Sequence, residues 1–374
     1  MTLYPRFLTL ALLTFLIVAP AGADQTVELY RAQELVKSQS AAQRAAAAKH
    51  ALERVVVRVS GSLESLQSPA IKAALTNAQE YVYEYSYAAS DETLESISGE
   101  SIPASALNLK FSAALIEQLL REAGLPYWPA NRPNVLIWAV ANEGDGLQLV
   151  TDPDAWQQVR EQAQLRGLPV TSPVFDLEDH LAMSEQTLWQ LDSSQIRQAS
   201  ERYSADAIIA LRYSELSDGR YRGNWQLLHG EGDVMFDGQA DAPGDLLQQA
   251  VDTIADRFAN IYAIRPSESG SASIAMFIAN ANSFADFKRI ESYLNSLAVV
   301  RRVEMHQVSS QGLTLKLFTD GDVTQLENTL ALKKMLLPVS GTSLSGNRYQ
   351  VRGSLLRPLR YRLQQSLTQG GSNE

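Results

Sequence analysis

The first third of the chain changes between the helical and the strand spacing of apolar residues. Apolar positions recur at three- and four-residue steps over residues 41–59, which predicts a helix that ends at Gly61. Residues 81–87 alternate tyrosines with smaller side chains, and residues 107–111 alternate likewise, so both are predicted strands. The polar residues 88–105 between them are typical of a long mobile loop. This region is expected to be α+β.

The middle of the chain alternates buried strands with amphipathic helices. Its first strand is an unbroken apolar run, typical of a strand covered on both faces of a sheet. The predicted order is strand 134–140, helix 154–166, strand 168–170, helix 194–203 and strand 207–211. This order predicts a central α/β domain with a mostly parallel sheet and helices on its faces. Turns at 218–219 and 230–233 then indicate an antiparallel meander, followed by a helix at 246–261.

The last region repeats strands and helices on a smaller scale. The predicted elements are a strand at 273–278, a helix at 283–297, strands at 299–308 and 313–318, and a helix at 323–332. This βαββα order predicts a ferredoxin-like α+β domain.

Two segments interrupt the periodic pattern and divide the chain. Three prolines fall within residues 126–133, where they prevent a continuous helix. Small polar residues fill 265–273, which predicts an exposed, flexible linker. The expected plan is a signal peptide at 1–23, an N-terminal α+β domain at 24–130, a central α/β domain at 131–264, the linker at 265–273, a C-terminal ferredoxin-like domain at 274–345 and a basic tail at 346–374.

The N-terminus has the three parts of a secretory signal peptide. Arg6 precedes an apolar run at 7–18, and Ala21-Gly22-Ala23 has the small-x-small pattern that signal peptidase accepts. The apolar run is shorter than the roughly 20 residues that span a bilayer. We therefore expect cleavage after Ala23 and a periplasmic protein. With no cysteine in the chain, it is not expected to be a lipoprotein.

Charge is distributed unevenly along the chain. Residues 131–264 contain 21 acidic against 9 basic residues, whereas residues 265–374 contain 8 acidic against 13 basic residues. A strongly acidic middle region, together with export, argues against nucleic acid as a partner.

Motifs for catalysis and cofactor binding are missing from the sequence. There is no G-x-S-x-G elbow, no P-loop and no H-E-x-x-H pair, and the absence of cysteine excludes thiol catalysis. The four histidines lie far apart along the chain. The sequence therefore predicts neither an enzyme nor a bound cofactor.

The densest group of chemically capable side chains follows the predicted strand at 173–175. The candidate ligand or partner site comprises Asp176, Glu178, Asp179, His180 and Arg202. Ligands of open α/β sheets bind beyond the carboxyl ends of strands, and these carboxylates and imidazole could hold a hard cation. A helix N-cap formed by Asp176 or Asp179 explains the same residues. Arg202 could anchor a carboxylate ligand, but pairing with nearby Glu201 or Asp206, or a structural role at the end of its helix, is favoured.

The C-terminal segment combines arginines with leucines. A helix beginning at Pro358 would place Leu359, Leu363 and Leu367 on one face. The candidate anionic-surface contacts are Arg352, Arg357, Arg360 and Arg362. The predicted helix either docks its leucines onto the C-terminal domain or lies on an anionic membrane surface or acidic partner.

Short motifs over most of the mature chain carry a family resemblance. They are Val59-Ser60-Gly61, Gly167-Leu168-Pro169, Pro173, Asp176-Leu177-Glu178-Asp179, Ala199-Ser200, Arg202-Tyr203 and Ala205-Asp206. The sequence resembles domain-of-unknown-function family 2066 of exported gammaproteobacterial proteins, which implies an envelope location and no assigned activity. The middle region is also similar to the small α/β domains of Tol-system and penicillin-binding-protein-activator envelope proteins, which implies protein binding.

Three functions stay open from the sequence. The first is a protein-interaction or scaffold module of the cell envelope, favoured by export and by the missing catalytic motifs. The second is a periplasmic solute-binding protein that uses a cleft between the first two domains. The third is a metal-dependent hydrolase centred on Asp176, Glu178, Asp179 and His180.

Overall fold

The computed structural model describes residues 27–95, 99–144, 146–230, 232–265, 272–281, 283–332, 335–339 and 351–364. The predicted signal peptide at 1–23 lies outside these ranges, as do residues 266–271 of the predicted linker and residues 346–350 and 365–374 of the predicted tail. The described chain forms three mixed assemblies of helices and sheet, which confirms the α/β and α+β class. Within these ranges, none of the helices is both long and apolar enough to cross a membrane.

The first region is a three-stranded antiparallel sheet covered by helices. Its elements are β1 Arg31–Val36, α1 Ala41–Ser60, α2 Pro69–Thr76, β2 Val82–Glu95, β3 Ser101–Phe111 and α3 Ala113–Glu122. The strand order is β1-β3-β2. Helix α1 begins at the N-cap Ser40 and ends at Gly61 in the left-handed conformation, as its pattern predicts.

The predicted mobile loop at 88–105 is wrong, because most of it forms a β-hairpin. Strand β2 continues to Glu95, and β3 begins at Ser101. Ala88 lies opposite Ala106, and Leu94 lies opposite Ile102. This end of the hairpin has little buried surface, so its side chains lack the alternation that marks a half-buried strand. Backbone hydrogen bonds, which leave no trace in the hydrophobic pattern, hold the two strands together.

The central region is a mixed sheet with helices on both faces. Its elements are β4 Val135–Asn142, β5 Leu147–Leu149, α4 Pro153–Arg166, β6 Val170–Thr171, α5 Leu177–Ala182, α6 Glu185–Gln190, α7 Ser193–Ser200, β7 Ala207–Glu215, β8 Tyr221–His229, β9 Val234–Ala240 and α8 Pro243–Tyr262. The order is β5-β4-β7-β8-β9, with β6 beside β4. Strand β4 is parallel to β6 and β7, and β7-β8-β9 form the predicted antiparallel meander.

Alternate residues of β4 face two separate cores. Val135 and Ile137 pack with α4 and α8, whereas Leu136 and Trp138 pack with the layer formed by α5, α6 and α7. The strand is buried on both faces, which is why its sequence is an unbroken apolar run. The layer of three short helices carries the candidate site.

The C-terminal region is a five-stranded sheet with two helices. Its elements are β10 Ala272–Ala279, α9 Phe284–Asn295, β11 Val300–Ser309, β12 Gly312–Thr319, α10 Val323–Leu332, β13 Leu336–Pro338 and β14 Leu359–Leu363. The first five follow the predicted βαββα order. The strand order is β11-β12-β10-β14-β13, so β14 lies between β10 and β13.

The helix predicted from Pro358 is wrong, because residues 359–363 form strand β14. This strand pairs in parallel with β10 and antiparallel with β13. Leu359, Tyr361 and Leu363 are buried, and Arg360 and Arg362 point away from the core. The leucines at positions 359 and 363 fit a helical four-residue step and a strand's two-residue step equally well. Tyr361, two residues from each leucine, is also buried, and only the two-residue step of a strand places all three side chains on one face.

Buried arginines join the first region to the central one. Arg132 donates hydrogen bonds to the carbonyl oxygens of Arg58 and Gly167, each at 2.7 Å. Arg166 donates to the carbonyl oxygen of Gly61 at 3.1 Å. Burial lowers the pKa of Arg132 to about 9, which leaves its guanidinium charged at neutral pH. The proline segment at 126–133 is therefore packed against both regions.

Candidate functional site

The segment that leads from β6 into α5 is not the strand predicted at 173–175, and it ends with a helix cap. Asp176 precedes α5, and its side chain accepts a hydrogen bond from the N–H of Asp179 at 3.0 Å. Carboxylates are favoured at this position because they accept from unpaired N–H groups at the positive end of the helix. The interpretation of Asp176 as an N-cap is confirmed.

Asp179 is the buried centre of a hydrogen-bond network. Its side chain has no exposed surface. Oδ2 accepts from the N–H of Phe175 at 2.8 Å and from the hydroxyl of Tyr203 at 2.6 Å. Oδ1 lies 3.0 Å from Nη1 of Arg202. A buried carboxylate is stable only when paired and hydrogen-bonded, and Asp179 meets both conditions.

Arg202 binds the carboxylate of Asp176 in a bidentate manner. Its two terminal nitrogens lie 2.8 and 2.9 Å from the two oxygens of Asp176. Arg202 holds the pKa of the Asp176 carboxyl well below its usual range, assisted by the N–H of Asp179. The hydrogen bond to Asp176 also raises the pKa of Arg202 above its already high value. The ion pairs of Arg202 with Asp176 and Asp179 replace the predicted pairing with Glu201 or Asp206.

The backbone just before α5 is fixed in an unusual conformation. Phe175 has φ of +56°, which is rare for an aromatic residue. Its ring packs edge-on against Trp138 at a centroid distance of 6.3 Å. The N–H of Val174 donates to the hydroxyl of Tyr203 at 2.9 Å. Burial and the hydrogen bond to Asp179 raise the pKa of Tyr203 to about 12, so the hydroxyl stays protonated near neutral pH.

Three aliphatic side chains on α5 and on the segment before it are exposed to solvent. Val174 is 67% exposed, Leu177 is 74% exposed and Leu181 is 80% exposed. Leu177 and Leu181 are one helical turn apart on α5, so they lie on the same face. We call Val174, Leu177 and Leu181 the α5 surface. The side chains of the α5 surface are exposed, while the backbone N–H groups of Val174 and Phe175 are held by Tyr203 and Asp179.

The predicted site residues do not converge on one ligand position. Asp176, Asp179 and Arg202 are brought together, but they bind each other. The side chain of Glu178 is 71% exposed and lies 3.6 Å from Arg202, and His180 is also exposed. Across the described residues, no group of three or more His, Asp or Glu side chains is placed to hold a metal ion.

The four arginines predicted to contact an anionic surface lie around β14. Arg352 pairs with Glu327 of α10 at 2.5 Å. Arg357 is in the turn that precedes β14, where its backbone pairs with Ser354. The exposed Arg360 lies over the ring of Phe277, 4.8 Å from the ring centre, and Arg362 is exposed on the same side of the strand.

Sequence reasoning missed the residues that form the α5 surface. Leu177 and Leu181 have the four-residue spacing of a helix face, but that spacing is normally read as a face buried in the core. Tyr203 was also missed, because no motif marks a tyrosine that supports a distant loop. An isolated pair of leucines in a polar stretch was the available signal.

Comparison with known proteins adds one match. Residues 23–129 match the family described as Domain of unknown function (DUF8605). The match covers the first region and ends before β4, so the α5 surface lies outside it. No curated protein matches the chain. The resemblance to family 2066 and the similarity to Tol-system domains stay predictions.

Proposed function

We propose that this protein is an exported protein-binding module of the bacterial cell envelope, and that it docks a partner through the α5 surface. The observation that carries this proposal is the exposure of Val174, Leu177 and Leu181 on a segment fixed by the buried carboxylate of Asp179. Export rests on the signal-peptide pattern at 1–23. Patches of exposed apolar residues on polar surfaces mark interaction sites.

The hydrogen-bond network supports binding because it orders the surface in advance. Association loses free energy whenever flexible groups must be immobilised, and preorganisation reduces that loss. The N–H groups of Val174 and Phe175 are already bound by Tyr203 and Asp179. Each aliphatic side chain buried in an interface contributes on the order of 1.5–3 kcal/mol. Three such side chains would supply part of the free energy of a contact, against the several kcal/mol that association loses in translational and rotational freedom.

The charges around the α5 surface define the kind of partner. Glu178 is exposed between the two leucines of α5, and residues 131–264 contain 21 acidic against 9 basic residues. A complementary partner would offer an apolar pocket with a basic rim. Basic residues on that rim would also increase the rate of association at low salt.

The hydrolase alternative finds less support in the geometry. Asp176 is bound by Arg202 in a bidentate manner, and Asp179 accepts from three donors. A general base or metal ligand would have to break these bonds before it could act.

The solute-binding alternative has a specific location. A cleft of about 690 Å³ lies between residues 60–68 of the first region and α8 of the central region. Ser65 lines this cleft, and its hydroxyl is buried without a hydrogen-bond partner in the structure. This alternative predicts that a polar metabolite raises the melting temperature of the protein, and that Ser65→Ala removes the effect.

The protein-binding proposal is tested by site-specific photocrosslinking in intact cells. A photoreactive amino acid replaces Leu177 or Leu181 and, as a matched control, Met235 on β9, which is 51% exposed. We expect one discrete crosslinked partner from both α5 positions and none from position 235. Crosslinks absent from the α5 positions, or the same products from all three, would contradict the proposal.

A further inference from the structure

A second exposed apolar feature lies at the other end of the chain. Val351 is 75% exposed, Leu355 is 48% exposed and Leu356 is 78% exposed. All three belong to residues 351–357, which we call the 351–357 turn. This turn lies in the C-terminal region, whereas the α5 surface lies in the central region. The inference drawn from the turn is therefore independent of the proposed binding role of the α5 surface.

The 351–357 turn is closed by its own backbone hydrogen bonds. The N–H of Gly353 donates to the carbonyl of Arg357 at 2.9 Å, and the N–H of Ser354 donates to the carbonyl of Val351 at 3.1 Å. Gly353 has φ of +83°, which favours glycine at this position. The N–H of Ala275 on β10 donates to the carbonyl of Gly353 at 2.6 Å, which attaches the turn to the sheet. The exposed side chains are therefore presented from a defined loop.

Cationic side chains accompany the exposed apolar ones. Arg352 and Arg357 lie within the turn, and the exposed Arg360 and Arg362 follow on β14. Arg352 already binds Glu327, and the guanidinium of Arg360 lies over the ring of Phe277. Stacking on an aromatic ring leaves the edge of the guanidinium, with its N–H donors, open to a phosphate.

We infer that the 351–357 turn binds the surface of an anionic lipid bilayer. Leu355, Leu356 and Val351 would enter the boundary between headgroups and acyl chains, and the arginines would contact lipid phosphates. Charge complementarity favours this occupant, because residues 265–374 contain 13 basic against 8 acidic residues. An acidic protein would satisfy the arginines, but a bilayer also accommodates three aliphatic side chains at the tip of one turn.

Point variants are better suited to testing this inference than removal of the tail. A chain that ends at Gly353 would lose β14, which lies inside the sheet, so its failure to bind would be uninformative. The variants are Leu355→Ser with Leu356→Ser, and Arg360→Gln with Arg362→Gln. Val308→Ser on β11 serves as the matched control, because Val308 is 61% exposed in the same sheet.

Co-sedimentation with vesicles measures the binding. We expect the wild type to bind phosphatidylglycerol vesicles and not to bind phosphatidylcholine vesicles. The bound protein should dissociate as the salt concentration rises, because the Debye length falls to about 8 Å at 0.15 M ionic strength. Each double variant should lose affinity by about tenfold or more, and Val308→Ser should bind like the wild type. Failure of the wild type to bind would overturn the inference, as would leucine variants with unchanged affinity.

The absence of cysteine allows a direct measurement of insertion. Leu356→Cys and Val308→Cys are each labelled with a polarity-sensitive dye, and both sites are exposed enough to accept it. Phosphatidylglycerol vesicles should shift the emission to the blue from position 356 and leave position 308 unchanged. Equal spectra with and without vesicles at position 356 would overturn insertion. Displacement of the vesicles by polyglutamate, without any dye shift, would overturn insertion and leave a purely electrostatic contact, as an acidic protein would make.

Discussion

At the scale of single residues, Asp179 determines what the candidate site can do. A carboxylate without exposed surface is unfavourable unless its oxygens are compensated, and three donors compensate this one. The same three contacts fix the backbone before α5, the side chain of Tyr203 and the position of Arg202. Asp179 is therefore a supporting residue of the α5 surface.

The first prediction concerns the removal of this carboxylate. Asp179→Ala removes the acceptor of the Tyr203 hydroxyl and of the Phe175 N–H, while Arg202 keeps its ion pair with Asp176. Because the groups left without an acceptor are partly buried, we expect the free energy of unfolding to fall by about 3 kcal/mol. Chemical denaturation measures this change. Glu178→Ala is the control, because the side chain of Glu178 is 71% exposed, and it should change stability by less than about 0.5 kcal/mol. Equal losses from the two variants would contradict the role given to Asp179.

The second prediction concerns pH. Arg202 lowers the pKa of Asp176 in the folded state below its value in the unfolded chain. The pair therefore stabilises the fold above the ordinary aspartate pKa of about 4, and this contribution is lost as the pH falls below that value. We expect Asp176→Asn to lower the melting temperature at pH 7 and to differ less from the wild type at pH 3. A difference that stays constant with pH would show that Asp176 is not held as a carboxylate by Arg202.

At the scale of elements, strand β14 shows where the sequence pattern is ambiguous. The tail was predicted as a helix on the basis of leucines four residues apart, and the structure uses the same leucines in a central strand. Because β14 pairs with β10 on one side and with β13 on the other, the C-terminal sheet depends on a segment that begins 80 residues beyond the end of β10.

The third prediction follows from this position of β14. A chain that ends at Gly353 leaves the edge of β10 unpaired and exposes the core around Met276 and Leu336. We expect trypsin to digest its C-terminal region while the central region stays folded. A chain that ends at Gln364 retains β14 and should resist digestion. If the two chains are digested at the same rate, β14 does not hold the sheet together.

Elements with strong one-sided or two-sided burial could be predicted from the sequence. The unbroken apolar run at β4 and the glycine-terminated helices α1 and α4 were predicted within a few residues. The exposed outer part of the β2–β3 hairpin could not be predicted, because its backbone pairing leaves no hydrophobic pattern in the sequence. The cap of α5 was predictable because Asp176 is a good N-cap in any fold. The partners of Arg202 were not, because they come from a helix more than 20 residues away.

At the scale of the whole molecule, close packing joins the first and central regions. Gly61 ends α1 at a point where α8 approaches, so a Cβ atom there would lie 2.5 Å from the Cβ of Ala259 and 2.8 Å from the ring of Trp128. Arg58, Arg132 and Arg166 are buried around the same junction. The α5 surface is thus attached to a larger folded body.

The fourth prediction tests this junction. Gly61→Ala combines a left-handed φ of +73° with a steric clash, so we expect it to lower the free energy of unfolding by about 2–4 kcal/mol. Gly124→Ala is the matched control, because Gly124 has φ of +65° and no atom near its missing Cβ. It should cost about 1 kcal/mol. Equal effects would show that packing at Gly61 contributes nothing.

The α5 surface and the 351–357 turn are two separate contact surfaces on one chain. The central region that carries the first is acidic, and the C-terminal region that carries the second is basic. If both proposals hold, the protein keeps a basic, apolar-lined partner close to the membrane surface. Variants of the 351–357 turn should then release the complex from the membrane without changing the affinity for the partner.

The most direct test of the central claim is the yield of the crosslinked partner from position 177 in three backgrounds. These are the otherwise unchanged chain, Leu181→Asp on the α5 surface, and Met235→Asp at an exposed apolar position on β9. Placing a charge in an apolar contact removes the burial of Leu181 and leaves an unpaired carboxylate, so Leu181→Asp should reduce the yield at least about tenfold. Met235→Asp should leave the yield unchanged. Equal yields in all three backgrounds would contradict the assignment of α5 as the binding surface.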